Sequence, residues 1–225
     1  RKNNSDFPSD PQDSISNAVV VKTLVIKDLW KLTSTVDFFE QCTFTDVNSI
    51  ETGNNKKVTH ENEKSRNRLS LQAELSPNEQ SEILEKLMTR IYWQKSNQNS
   101  INLQERLDNN IVSKRDIGFE TKFYGLDIEN VFNFDFDQSN HNILTGIELS
   151  FSDVSSTYLK TDVLLDGSVN LDNRKSMAPS ESERLGAFVL DEISLGADES
   201  WIITPSFRFD YYNVKPKSDT SFLNN

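Results

Sequence analysis

Two runs in the last quarter of the chain alternate apolar and polar positions. Leu185 to Ile193 and Trp201 to Tyr212 are separated by Leu195-Gly196-Ala197-Asp198-Glu199, a short polar connection carrying a glycine, and together predict a long β-hairpin. In the second run the odd positions are Trp201, Ile203, Pro205, Phe207, Phe209 and Tyr211, and the even ones are Ile202, Thr204, Ser206, Arg208, Asp210 and Tyr212. Successive strand side chains point to opposite faces, so one face is apolar and ends in aromatics while the other becomes charged. Trp201 to Tyr211 covers about 33 Å at ~3.3 Å per residue. At a tilt of about 40° that is roughly 25 Å of height, the height of a lipid-facing band between two aromatic girdles. A long strand in a soluble sheet shows the same alternation, so this run alone leaves both readings open.

The rest of the chain repeats the theme. Arg1 to Ser16, polar with Pro8 and Pro11, reads as loop. Ala18 to Ile26 predicts a first strand. Trp30, Leu32, Ser34, Val36 and Phe38 predict a second, running towards Cys42 and Phe44 after the short Lys27-Asp28-Leu29 connection. Asp46 to Lys64, with Gly53 and no apolar period, reads as a long exposed loop. Leu69, Leu71, Ala73 and Leu75 alternate with polar residues as a third strand, and Ser76-Pro77-Asn78-Glu79-Gln80 is a turn signal. Ile83 to Trp93 fits a helical period as well as a strand; its place after a proline turn and beside the preceding strand favours strand.

Gln94 to Ser113 is polar and Asn-rich and reads as a second long loop. Ile117, Phe119, Thr121 and Phe123 alternate, and the phase then shifts at Tyr124-Gly125 to Leu126, Ile128, Asn130, Phe132, Phe134 and Phe136, which predicts a bulge at Gly125. Asp137 to Asn142 reads as a turn. Thr145, Ile147, Leu149 and Phe151 form a sixth strand, and Asp153 to Glu183 a third long region. Short connections (Lys27 to Leu29, Ser76 to Gln80, Asp137 to Asn142, Leu195 to Ser200) thus alternate with long ones. Transmembrane barrels alternate short turns and long loops in this way, and sandwiches have no reason to. Trp30 and Trp201 both follow short connections, which places them in one aromatic girdle. The expected fold is all-β: an antiparallel transmembrane β-barrel segment of about eight strands, with strands and loops over 18–213.

Arg184-Leu185-Gly186-Ala187-Phe188-Val189-Leu190-Asp191-Glu192-Ile193 followed by Ile203-Thr204-Pro205-Ser206-Phe207-Arg208-Phe209-Asp210-Tyr211-Tyr212 resembles the barrel segment of TonB-dependent outer-membrane receptors, especially the haem and haemoglobin receptor branch. That segment typically reads R-Y-G-x-F-V-Q-D-E-I, a short turn, then L-T-P-G-L-R-Y-D-x-Y. Leu190, Ser206 and Phe209 depart from the usual Gln, Gly and Tyr without breaking the alternation. His141 to Ser150, HNILTGIELS, is similar to the family's H-R-L-T-Y-G-x-E-x-S strand, which extends a weaker resemblance over Leu24 to Lys217. The resemblance implies a partial barrel in the cell outer membrane, with partners in outer-membrane lipid, an iron-containing ligand or haem protein, and the TonB system acting through a plug. Import would proceed by ligand capture and plug rearrangement with no chemical step and no resident cofactor. Neither a plug nor a TonB-contacting box is visible, and the F-R-A-P and N-P-N-L boxes of the haem branch are absent. The chain then looks like a piece from the middle of a longer one, with those boxes expected beyond Asn225.

Composition adds limits. A net charge of −11 argues against nucleic acid, whose phosphates need clustered Lys and Arg. Mean hydropathy of −0.59 and 14 Phe suit a barrel and a polar soluble protein equally, and no apolar run reaches the ~18 residues of a membrane helix. Cys42 is alone, so no internal disulfide forms. The N-terminal residues lack the apolar core of a signal peptide.

Candidate chemistry is sparse: no phosphate loop, metal-spaced Cys/His cluster or nucleophile elbow occurs, so no catalytic or metal residue is named. His60 falls in the first long loop, where a haem could meet it, although Thr59 and Glu61 make a solvated loop histidine the plainer reading. His141 is placed on a turn. Arg208, Asp210 and Tyr212 are expected to face the lumen, where they either contact a plug or form a structural charge pair. Asp153, Asp162, Asp166 and Asp172 match no calcium loop and read as solvated charge. The alternative to a receptor barrel is a soluble exported β-sandwich binding module. It would put a second sheet over Leu69, Leu71, Ala73, Leu75 and Phe207, which the barrel turns to lipid.

Overall fold

A computed structural model describes residues 10–48, 55–77, 83–106, 111–137, 139–173, 175, 177–196 and 200–219. The strands are β1 (Gln12–Lys27), β2 (Trp30–Asp46), β3 (Asn55–Leu75), β4 (Leu84–Arg106), β5 (Val112–Phe136), β6 (Ser139–Val163), β7 (Val169–Asp172), β8 (Ser180–Leu195), β9 (Trp201–Ile203) and β10 (Ser206–Pro216). All pair antiparallel in one sheet of order β1-β2-β3-β4-β5-β6-β8-β10, with β7 appended to β6 and β9 to β8. Ile203 faces Ile193 and Ser206 faces Leu190, so β9 and β10 keep a single register against β8. They are one strand interrupted at Pro205, which has no N–H for the ladder but whose carbonyl still accepts from Asp191 N–H at 3.0 Å. The path therefore has eight long strands, and the hairpin read from Leu185 to Tyr212 is present.

Each strand contacts only its neighbours in the sheet, and Val58 is the one buried apolar side chain among the described residues. A single sheet without a covering layer has no core of its own, so its apolar face requires an outside apolar medium. No second sheet lies over Leu69, Leu71, Ala73, Leu75 or Phe207, which overturns the sandwich alternative among the described residues.

Register sorts the side chains sharply, because residues directly opposite in antiparallel strands share a face. Leu71, Ile91, Leu126, Leu149, Leu185 and Tyr211 form one continuous row across β3 to β10. One residue along, Gln72, Arg90, Asp127, Glu148, Gly186 and Asp210 form the row on the other face. The apolar face ends above in Trp93, Tyr124 and Phe151. The next row there is ionic, with Lys95 Nζ 2.6 Å from Glu120 and Lys217 Nζ 2.7 Å from Asp153. At the opposite end stand Phe136 and Trp201, 63% and 71% exposed.

Several boundaries differ from the sequence expectation. Of the stretch 1–16 read as loop, 12–16 is strand. Asp46 to Lys64 is strand from Asn55 onward, Gln94 to Ser113 is strand up to Arg106 and again from Val112, and Asp153 to Glu183 is strand through Val163, over β7 and from Ser180. These segments carry no apolar period because both of their faces are mostly polar, yet their backbones pair with the neighbouring strands, with one register shift between Asn55 and Lys57. Gly125 is not a bulge: it faces Tyr92 and Ser150 with no register shift, the shift in β4 lying between Leu84 and Lys86. The apolar phase changes there because Phe119 and Phe123 belong to the polar face while Leu126 and Ile128 belong to the apolar one. Gly125 instead leaves room for the Tyr92 ring, whose atoms lie 2.1 Å from where a Cβ would stand, and Gly146 does the same for Phe188 at 2.3 Å. Residues 1–9, Gly53, Asn78 to Gln80, Gln138 and Ala197 to Glu199 lie outside the described residues.

The described connection between β6 and β7 is a tight turn. Gly167 takes φ 79°, and Asp166 Oδ1 accepts the Ser168 N–H at 2.8 Å. Hydrogen bonds from the Ser168 side chain and backbone hold the Asp166 carboxyl below the usual carboxylate range. A depressed pKa contributes stability above the unfolded-state value, and that stability is lost as pH falls through the folded one. In an NMR titration Asp166 is expected to protonate with a midpoint below the ~3.9 of a free aspartate, and Ser168→Ala to move that midpoint upward.

Candidate functional site

The polar face gathers its charges where β6, β8 and β10 meet. Alternation along β10 puts Arg208, Asp210 and Tyr212 on this face. Arg208 Nε donates to Asp210 Oδ2 at 2.8 Å and its Nη2 to Glu148 Oε2 at 2.7 Å. Arg184 Nη2 donates to Asp210 Oδ1 at 3.1 Å and lies 3.8 Å from Glu148. Gly186 sits in the middle: a Cβ there would come within 3.2 Å of both the Arg208 and Glu148 termini, so glycine leaves the two pairs room to cross-link. The Arg208 guanidinium also lies 5.8 Å from the Phe188 ring centre. Tyr212 stands opposite Arg184 but adds no hydrogen bond to the four-residue cluster, and it is 65% exposed.

The expected Arg208/Asp210 pair is therefore half of a two-arginine, two-carboxylate network, to which sequence pattern alone did not assign Arg184 or Glu148. Both sit on the charged parity of their strands, a signal usable only once strand pairing is known. Further along the same face Arg90 binds Asp127, with Nε 2.9 Å from Oδ2, and Glu74 lies between Lys31 and Lys86, 3.5 Å from each.

Both histidines are placed differently from expectation. His60 is on β3, between Thr45 and Asn102, not in a loop. It faces the polar side, where its Nδ1 donates to Asn102 Oδ1 at 2.7 Å. His141 is on β6 rather than on a turn, because the hairpin closes tighter at the Phe136–Ser139 pair. It lies on the apolar face, 2.9 Å from Asp191 and edge-on to Phe136. Of the four aspartates weighed for calcium, Asp153 and Asp162 are strand residues bound to Lys217 and Lys160, and Asp172 closes β7. The described residues bring together one group of possible metal-ligating atoms, Cys42, Glu61 and Glu63, on the opposite face from His60.

A wall one strand thick, with a continuous apolar band on one side and cross-linked charges on the other, is the geometry of a transmembrane barrel. A family model described as TonB dependent receptor-like, beta-barrel, matches residues 5–225. The chain belongs to this family. The row Leu71 to Tyr211 is the face suited to hydrocarbon in such a barrel, and the Arg208 network lies on the opposite face of the sheet. The family places its members in the outer membrane as receptors energised through TonB, so the role to look for is transport. A comparison with curated proteins finds no match.

Proposed function

We propose that this chain forms part of the barrel wall of an outer-membrane receptor that imports an iron-containing ligand, haem or a siderophore, with energy delivered through TonB. The observation that carries the reading is the one-residue offset between the row Leu71 to Tyr211 and the row Gln72 to Asp210. It gives a single layer one face suited to lipid and one suited to a hydrated, plugged lumen. The unpartnered edges of β1 and β10 among the described residues support it, because exposed backbone groups in hydrocarbon demand further strands. Arg208, Asp210 and Tyr212 are the lumen residues placed to meet a plug, the first two as fixed charge and Tyr212 as an exposed ring. His60 is the histidine on the lumen face and the one that reaches a haem, from a strand end rather than a loop.

The test is growth of a strain lacking this protein with haem, or a ferric siderophore, as sole iron source. Complementation is expected to restore growth on one of them only while TonB is intact. Growth that persists without TonB ends the proposal.

A further inference from the structure

Just beyond its aromatic limit, the face suited to hydrocarbon carries two lysines. Lys95 follows Trp93 by two residues on β4 and Lys122 precedes Tyr124 by two on β5, so each stands roughly 7 Å past its ring on the same face. The two lysines are directly opposite one another, and Asn67 of β3 is opposite Lys95 on its other side. Glu120 bridges them, 2.6 Å from Lys95 Nζ and 3.1 Å from Lys122 Nζ. Asp153, across from Lys122, is taken by Lys217 at 2.7 Å. Two cations thus share one carboxylate, whereas Lys215, in the same row, has Glu183 to itself at 3.3 Å. Below this pair Ser34 interrupts the apolar face of β2 between Leu32 and Val36. Opposite Leu71, it opens a groove of about 380 Å³ walled by Leu69, Leu71, Ile91 and Trp93, within the ~300–1,000 Å³ of small-ligand sites. Asn67 and Lys95 stand one row above the Leu69–Trp93 pair at its upper end.

We propose that the groove and the two lysines together hold one phosphate-bearing anionic lipid, with an acyl chain in the groove and its phosphate against Lys95 and Lys122. The groove opens on a face that no layer of protein covers, where the filling material is hydrocarbon. Rings at the border of an apolar band sit at headgroup level, so cations one row further out meet phosphate, and a lysine near such a surface is attracted to anionic lipid. Like charges directly opposite in a sheet repel, and Glu120 relieves only part of that. A phosphate oxyanion relieves the remainder by accepting charge-assisted hydrogen bonds from both ammonium groups, with the Asn67 amide as a further donor. A choline headgroup instead brings a cation towards them, and a free anion leaves the groove empty. The proposal goes beyond the receptor reading: it depends on which face meets hydrocarbon and not on the imported ligand or TonB.

Native mass spectrometry of the full-length protein in a neutral detergent measures retention of phosphatidylglycerol, phosphatidylcholine and glycerol phosphate, each offered at the same concentration. Phosphatidylglycerol is expected to be retained at least about fivefold better than phosphatidylcholine, and glycerol phosphate not to be retained. Lys95→Ala with Lys122→Ala is expected to abolish the preference, and Lys95→Arg with Lys122→Arg to keep it. Ser34→Leu, which fills the groove and leaves both lysines, is expected to weaken retention of phosphatidylglycerol. Lys215→Ala, in the same row but away from the groove, is the control and is expected to change nothing. Heat-dependent electrophoretic mobility checks that each variant is folded. Equal retention of the two lipids overturns the proposal, as does a preference that survives loss of both lysines, retention of glycerol phosphate as strong as that of the lipid, or a dimer that forms in place of lipid binding. TonB-dependent growth is a separate readout, so failure of this site leaves the receptor reading standing.

Discussion

Leu71→Arg is expected to cost about 2–4 kcal/mol of folding stability, the penalty for an arginine near the middle of a lipid-facing band. Leu71 lies in the row that Ile91, Leu126, Leu149, Leu185 and Tyr211 continue across the sheet, with Leu69 and Ala73 of β3 on the same face above and below it. A guanidinium there has no polar partner and must snorkel or draw water into hydrocarbon. Gln72→Arg, one residue along, places the same group on the hydrated face opposite Thr33 and Arg90. Like-charge repulsion from Arg90 is expected to hold its cost under about 1 kcal/mol. Urea unfolding in liposomes followed by tryptophan fluorescence measures both. Equal costs, or a larger one at Gln72, would show the faces assigned the wrong way round.

Arg90→Ala is expected to destabilise the protein by about 1–3 kcal/mol, the cost of leaving a buried polar group unsatisfied. Asp127 is 6% exposed, and Arg90 reaches it with both Nε and Nη2. Removing the arginine strands a carboxylate that solvent barely reaches, and also removes the cation from beside Tyr92, 5.6 Å from its ring centre. Replacing both partners by apolar residues of similar volume, Arg90→Met with Asp127→Leu, is expected to recover most of the loss, since neither charge is then left alone. Coupling between the two sites is the decisive quantity in that cycle. If the double variant is as unstable as Arg90→Ala, or the single change is silent, the pair does not hold the wall.

How much of this protein is legible in its sequence follows from where water is. In β10 the alternation from Trp201 to Tyr211 stands out because one face meets an apolar medium and the other does not, and its length matches the band it crosses. The same reasoning recovers the apolar stretches of β2, β3, β5 and β6. It fails at the upper halves of β3, β4 and β6, where Asn62, Ser100 and Ser156 sit on strands whose two faces are both polar. A period-two signal needs two unlike environments, and backbone pairing leaves no trace in composition. The polar flanks of His60 read as loop for that reason, and the phase change at Gly125 reads as a bulge because two patches of one strand meet different media.

By itself the order of side chains determined the all-β character, the lipid-suited band with its aromatic limits, and the charged parity carrying Arg208 and Asp210. These depend on nearest neighbours along one strand, where geometry is set by the alternation of the pleat. Only strand pairing decided that Arg208 and Asp210 meet Arg184 and Glu148 over Gly186. Pairing also set Lys122 opposite Lys95 above the groove at Ser34, and put His60 and His141 on opposite faces. Those contacts join residues far apart in the chain, and register, a cooperative property of the whole sheet, chooses them.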